Sequence, residues 1–117
     1  MSYVITGGNR TERFIAESCL RWCIAKFPLN RVKIHLRFAP IVSAQGWCLE
    51  GELNREYNIT ISTKYHSISL MAKTIIHELV HVKQWTTGEW DISDDGEKEA
   101  DEIAKDIGNM LWKADLI

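Results

Sequence analysis

The sequence lacks the features by which chains enter membranes or hold nucleic acid. None of its 117 residues belongs to an apolar run long enough to span a bilayer, and its start has no basic segment followed by an apolar one. The 14 lysines and arginines are dispersed, and the formal net charge is -2. Because nucleic acids and anionic membranes attract clustered positive charge, we expect no nucleic-acid partner, no membrane attachment and no secretory signal.

Cysteine is also scarce, and its three copies, Cys19, Cys23 and Cys48, are odd in number. An odd count in a chain without a signal is typical of reduced thiols, so we expect a cytoplasmic location. Cys19 and Cys23 lie four residues apart in a predicted helix and, with His35, suggest a second metal site. We favour the simpler interpretation that both cysteines are small core residues.

Length and hydrophobic periodicity predict a single domain, residues 1–117, of the α+β class. No internal repeat is apparent, and 45% hydrophobic with 26% charged residues is an ordinary globular composition. Apolar residues recur at helical spacing in three segments and alternate, or stand between glycines, in three others. The predicted order is an N-terminal helix (11–27), three strands (31–38, 46–52 and 56–63), a long helix (70–85) and a C-terminal helix (97–113).

Short connections between the three strands favour a small, mainly antiparallel sheet, in which one pair could be parallel. Between the two last helices lies an acidic loop, 89–96. Asp94 or Asp95 is the expected N-cap of the last helix, because a carboxylate there accepts hydrogen bonds from free backbone N–H groups.

The long helix carries His77-Glu78-Leu79-Val80-His81, an HExxH sequence. Residues four apart lie one turn apart on the same face, so the two imidazoles can reach one zinc ion. Glu78 is turned about 100° from His77, which places it beside such an ion and within reach of a bound water. The rest of this helix is largely apolar, and metal coordination removes the cost of burying unpartnered polar groups on it.

A third ligand is expected on the last helix, because catalytic zinc sites use three protein ligands and leave one position open. Glu97, Asp101, Ala104 and Gly108 form one stripe there. Two carboxylates thus border the core face, and two small residues let another helix approach closely. The simpler interpretation is that Glu97 only favours the helix N-terminus through the helix dipole. We favour the interpretation that Glu97 is the third metal ligand.

Residues 77–81 (HELVH) and 97–104 (EKEADEIA) together resemble the gluzincin zinc metallopeptidases. The resemblance extends over 74–104 and implies a minimal, single-domain member of that clan with a zinc ion held by His77, His81 and Glu97. It also implies that Asp101 accepts a hydrogen bond from a ligand imidazole and fixes its tautomer. Glu99 is the rival third ligand, but about 200° of helix separates it from Glu97, whose spacing to Asp101 fits the clan.

The resemblance further implies that a peptide or protein substrate is hydrolysed by a zinc-activated water. Glu78 takes a proton from that water and delivers it to the leaving amine, while the metal stabilises the oxyanion. Tyr57 and Tyr65 are candidate additional oxyanion donors, and His66 is a weaker one. In the clan an edge strand holds the substrate extended, which here is 46–52, with Trp47 either at a subsite or in the core.

Other functions fit parts of the same sequence. A catalytically weak or inactive zinc-binding scaffold keeps the three ligands but leaves Glu78 without a purpose. A regulatory binding protein, related to repressor-directed proteases, depends on its partner more than on turnover. A metal-free α+β domain is the third alternative, and elemental analysis separates it from the others.

Overall fold

The computed structural model describes residues 2–27, 29, 31–51, 55–87 and 94–114. Four strands and three helices lie within them, which confirms the α+β class. The elements are β1 (Ser2–Thr6), α1 (Arg10–Lys26), β2 (Lys33–Ala39), β3 (Gly46–Glu50), β4 (Glu56–Ser62), α2 (Ile68–Thr87) and α3 (Asp94–Lys113).

The sheet differs from the predicted one in strand number and in orientation. Its order is β1-β2-β4-β3, where β1, β2 and β4 are parallel and β3 is antiparallel to β4. The prediction of a three-stranded, mainly antiparallel sheet is therefore wrong on both counts. Parallel neighbours need a crossover connection, and α1 provides it between β1 and β2.

Strand β1 escaped prediction because it is short and pairs with a distant segment. Ser2 pairs with Lys33 and Thr6 with Arg37, so no hairpin turn next to the strand indicates it in the sequence. The chain then reverses through Gly7 and Gly8, both with positive φ. A Cβ atom on Gly7 would lie 2.8 Å from the carbonyl oxygen of Phe38, which explains why the sequence has glycine there.

Helices α1 and α2 cover one face of the sheet, and the core lies between them and the strands. The alternation predicted for β2 is confirmed, since Ile34 and Leu36 are buried between more exposed neighbours. In β4 the apolar Ile59 and Ile61 are buried as predicted, but Thr60 and Ser62 are buried too, so the alternation there is wrong beyond Ile59. The largest fully buried side chains among the described residues are Leu20, Leu29, Ile34, Leu36, Ile59, Ile61, Met71, Ile75, Ile76, Leu79, Leu111 and Gln84. All but Gln84 are apolar.

The two last helices are longer than predicted. Helix α2 extends the predicted 70–85 by two residues at each end. Helix α3 begins at Asp94, so Asp94 and Asp95 lie in its first turn and the N-cap prediction is wrong. Residues 94–96 of the predicted acidic loop belong to this helix, and 89–93 lie outside the described residues.

Helix α3 packs against α2 and against no other described element. The close approach predicted from Ala104 and Gly108 is confirmed, because Ala104 is buried and a Cβ atom on Gly108 would lie 2.7 Å from Cγ of Lys73. This packing places α2, which carries the HExxH residues, against α3, which carries Glu97 and Asp101. None of the described helices is both long and apolar enough to cross a membrane.

Candidate metal centre

The three predicted ligands, His77, His81 and Glu97, meet where α2 and α3 pack together. The Nε2 atoms of the two histidines lie 3.1 Å apart. The carboxylate of Glu97 spans both, with Oε2 3.1 Å from Nε2 of His77 and Oε1 3.0 Å from Nε2 of His81. One turn of α2 places the imidazoles on one face, and the first turns of α3 bring the carboxylate to them.

Each imidazole has an acceptor on its other nitrogen. Nδ1 of His77 lies 2.8 Å from Oδ1 of Asp101, and Nδ1 of His81 lies 2.9 Å from Oε1 of Gln84. Because a carboxylate and an amide oxygen accept but do not donate, both Nδ1 atoms carry the proton in the neutral imidazoles. Both Nε2 atoms then present lone pairs to the space beside Glu97.

Two facing lone pairs and a carboxylate repel one another unless a cation lies between them. A proton on one nitrogen relieves a single contact, whereas a metal ion satisfies all three donors. Donor atoms about 2.0–2.2 Å from a tetrahedral ion lie roughly 3.3–3.6 Å apart, slightly more than the separations here. The group of His77, His81 and Glu97 is therefore close enough to bind a metal ion.

The site is open to solvent on the side of α3. The side chain of His81 is 4% exposed and that of His77 18%, whereas those of Glu97 and Asp101 are 58% and 74% exposed. A cleft of about 570 Å³ runs along this side. Water and a bound molecule can therefore reach the centre without movement of the core.

Glu78 lies beside the ligands and lines the same cleft. The residue is buried, with 5% of its surface exposed. Burial raises the pKa of Glu78 to about 7, and the nearby charge of Glu97 adds to the rise. A carboxyl group with this pKa can exchange a proton with a reacting group near neutral pH.

The opposite wall of the cleft is the edge of the sheet. Gly46, Trp47 and Cys48 of β3 line it, and β3 is paired on one side to β4. Trp47 is 37% exposed, so it belongs to the cleft rim rather than to the core. Burial, and then the charges of Glu78 and Glu50, raise the pKa of the Cys48 thiol, which stays protonated.

Other residues singled out in the sequence lie away from the centre. Tyr57 is buried and stacks on Trp85, with ring centroids 5.7 Å apart. Tyr65 and His66 line a separate, smaller cavity, so none of the three candidate oxyanion donors borders the ligands.

The suggested second metal site is not formed. Cys19 and Cys23 are fully buried free thiols in the core, as favoured above. His35 lies on β2, and Nε2 of its ring is buried without a hydrogen-bond partner in the described part of the chain. Among the described residues, His77, His81 and Glu97 form the one group that could hold a metal ion.

Two residues of the site escaped prediction. Gln84 was overlooked because glutamine is not a metal ligand, although its position three residues after His81 places it near that imidazole. Glu99 was expected to point away from the stripe. It lies outside the group that could hold a metal ion, and its Oε1 accepts a hydrogen bond of 3.0 Å from Nε2 of Gln84. The helix phase predicted that Glu97, rather than Glu99, lies near the two histidines, but it did not predict the contact of Glu99 with Gln84.

Comparisons of the chain with known protein families, with characterised proteins and with solved structures gave no significant match. The resemblance to gluzincins therefore depends on the motif residues and their spacing, and a function has to be argued from the site.

Proposed function

We propose that the protein is a zinc-dependent peptidase that hydrolyses peptide bonds. His77, His81 and Glu97 are the metal ligands, and Glu78 is the general base and then the general acid. The observation that carries the proposal is the convergence of three lone-pair donors, separated by 3.0–3.1 Å, with Glu78 in the same cleft.

The donor set favours zinc. Two imidazole nitrogens and one carboxylate form a common ligand set of catalytic zinc, and three protein ligands leave a fourth position open. When bound there, zinc supplies a Lewis acid that polarises a carbonyl and makes water a nucleophile near neutral pH. Asp101 holds the His77 ring in the required tautomer through the contact of 2.8 Å.

Glu78 transfers the proton. Its carboxylate accepts a proton from the attacking water and, once the carbonyl carbon is tetrahedral, donates it to the leaving nitrogen. The C–N bond then breaks, both protons of the water end on the leaving nitrogen, and the products are a carboxylate and an ammonium group. Burial in the cleft wall supports this role, because a carboxylate held out of water is a stronger base than an exposed one.

The cleft supports a peptide as substrate. Strand β3 forms one wall and presents an edge that an extended peptide can join by main-chain hydrogen bonds, next to Trp47. The dispersed basic residues and the net charge of -2 favour a peptide or protein partner over nucleic acid. Three free cysteines fit a cytoplasmic setting, which we include in the proposal.

Metal content and cleavage, measured together, test the proposal. Native mass spectrometry of the wild type should show one zinc ion per chain, and incubation with casein should release new N-termini. In Glu78→Gln the zinc remains and the cleavage is lost, because the amide cannot accept the proton. In His77→Ala both are lost.

The same measurements separate the alternatives. Zinc retention without cleavage of casein or of a mixed peptide library in the wild type would favour the scaffold. Cleavage that persists at the wild-type rate in Glu78→Gln would overturn the assigned mechanism.

A further inference from the structure

Gln84 joins the end of α2 to the start of α3 through its side-chain amide. The residue is 1% exposed, and a buried amide is stable where its polar atoms are bonded. Its Oε1 lies 2.9 Å from Nδ1 of His81. Its Nε2 donates to the carbonyl oxygen of Gly96 and to Oε1 of Glu99, each at 3.0 Å.

These partners leave one orientation for the amide. Gly96 O and Glu99 Oε1 are acceptors, so the NH₂ group of Gln84 faces them. A flipped amide would set its oxygen against both acceptors. The oxygen therefore faces His81, and Nδ1 of His81 has to donate.

The alternative tautomer of His81 has a stabilising contact of its own. With the proton on Nε2, His81 could donate to Oε1 of Glu97, which lies 3.0 Å away. That tautomer cannot bind a metal ion through Nε2. Something has to oppose it, and in the structure the opposing group is the oxygen of Gln84.

We propose that Gln84 is a positioning residue that keeps the proton of His81 on Nδ1, so that the lone pair of Nε2 can bind the metal, and that Glu99 holds Gln84 in this role. The inference rests on the proposed function as far as the metal is concerned. Gly96, Glu97 and Glu99 lie in the first turns of α3, so one short segment supplies a ligand and also orients a ligand of the neighbouring helix.

The tautomer is measured in the metal-free protein. Nitrogen-15 NMR of the imidazole rings distinguishes a protonated nitrogen from one with a lone pair. In the wild type at pH 8, His81 carries its proton on Nδ1. In Gln84→Met, which keeps the side-chain length, the proton moves to Nε2 in a substantial fraction of molecules, while His77 keeps its tautomer through Asp101.

The affinity is measured by titration with zinc and with cobalt(II). Gln84→Met lowers it roughly 10–100-fold. Glu99→Ala lowers it roughly two- to tenfold, since Gly96 still holds one proton of the amide. Glu99→Gln keeps most of the affinity that Glu99→Ala loses, because the amide oxygen of the new glutamine can accept the same hydrogen bond. Glu102→Ala removes an exposed carboxylate of the same helix and leaves the affinity unchanged.

A second set of variants, in which the two side chains are exchanged, tests the same contact if Gln84→Met does not fold. Gln84→Glu alone sets two carboxylates against each other and weakens metal binding. Gln84→Glu combined with Glu99→Gln restores one donor and one acceptor between the two positions and recovers part of the affinity.

The outcomes distinguish this inference from the proposed function. An unchanged His81 tautomer and unchanged affinity in Gln84→Met, or equal losses in Glu99→Ala and Glu102→Ala, would overturn the role of the network. A wild type that binds neither ion but has the proton of His81 on Nδ1 would contradict the proposed function and support the positioning of His81.

Discussion

At the scale of single residues, Glu78 links stability to acidity. Its pKa rises from the ordinary 4.5 to about 7 in the folded protein because the side chain is buried and Glu97 is near. The folded protein thus holds this proton more tightly than the unfolded chain does. The free energy of unfolding therefore falls as the pH rises from about 4.5 to about 7, by at most about 3 kcal/mol.

Replacement by the neutral amide removes this dependence. We expect the stability of metal-free Glu78→Gln, relative to the wild type, to rise between pH 5 and pH 8 by up to about 3 kcal/mol. Urea unfolding of both proteins with a chelator present measures the difference at each pH. The two proteins differ at this one side chain, so the difference between them at each pH reports on position 78. A difference that stays constant across the range would contradict the raised pKa.

The carboxylates of α3 differ in their expected effects on the metal. Glu97→Ala removes a donor that lies 3.0–3.1 Å from both imidazoles, so zinc affinity should fall sharply. Asp101→Ala removes the acceptor for Nδ1 of His77 and should cost roughly 10–100-fold. Asp106→Ala, an exposed control on the same helix, should cost nothing. Competition with a chromophoric chelator measures all three, and a larger loss in Asp101→Ala than in Glu97→Ala would reassign the ligand.

The sequence could predict that these side chains lie close together, because their spacing is periodic. One helical turn relates His77 to His81, and another relates Glu97 to Asp101, so the helix phase alone decides which side chains share a face. The spacing of Gln84 from His81 could have been found in this way, but its contact with Glu99 could not. Small residues on α3 predicted that another helix comes close, but not which side chains of the two helices meet.

At the scale of elements, the same limit explains the sheet. The alternation within β2 predicted which of its residues are buried, because it is a property of the strand alone. In β4 it predicted the buried isoleucines but not the burial of Thr60 and Ser62, which depends on what covers the strand. Strand orientation depends instead on pairing between distant segments, as between Ser2 and Lys33. The short connections around β3 favoured antiparallel neighbours, and this holds for β3 with β4 but not for the other pairs.

The contact between α2 and α3 is sensitive to volume at Gly108. A side chain there meets Lys73, whose Cγ would lie 2.7 Å from the new Cβ. Gly108→Leu should destabilise the protein by roughly 1–3 kcal/mol despite the better helix propensity of leucine. Asn109→Leu, on the exposed neighbouring position, should change stability by no more than about 0.5 kcal/mol. Equal urea midpoints for the two variants would show that the helices do not meet at Gly108.

At the scale of the whole molecule, the helices differ in which elements they contact. Helix α1 packs on both β1 and α2, and α2 packs on two strands, whereas α3 contacts α2 and no other described element. The candidate centre lies across that one interface, with two donors on α2 and one on α3. A metal ion there adds a second kind of link between α3 and α2, the one described element that α3 contacts.

Metal removal should therefore loosen α3 before the rest of the fold. Ligand binding to the folded state stabilises it by about 2.7 kcal/mol at a free concentration 100 times the Kd. Since Glu97 would bind the ion, the free energy of local opening should rise most in α3. Hydrogen exchange followed by mass spectrometry, with and without a chelator, measures the effect along the chain. We expect exchange in α3 to accelerate on chelation and exchange in α1 to stay unchanged, and His77→Ala to behave in zinc as the wild type does in chelator. Equal acceleration in α1 and α3 would show instead that the ion stabilises the fold as one unit. No change in either helix would show that no metal ion binds between α2 and α3.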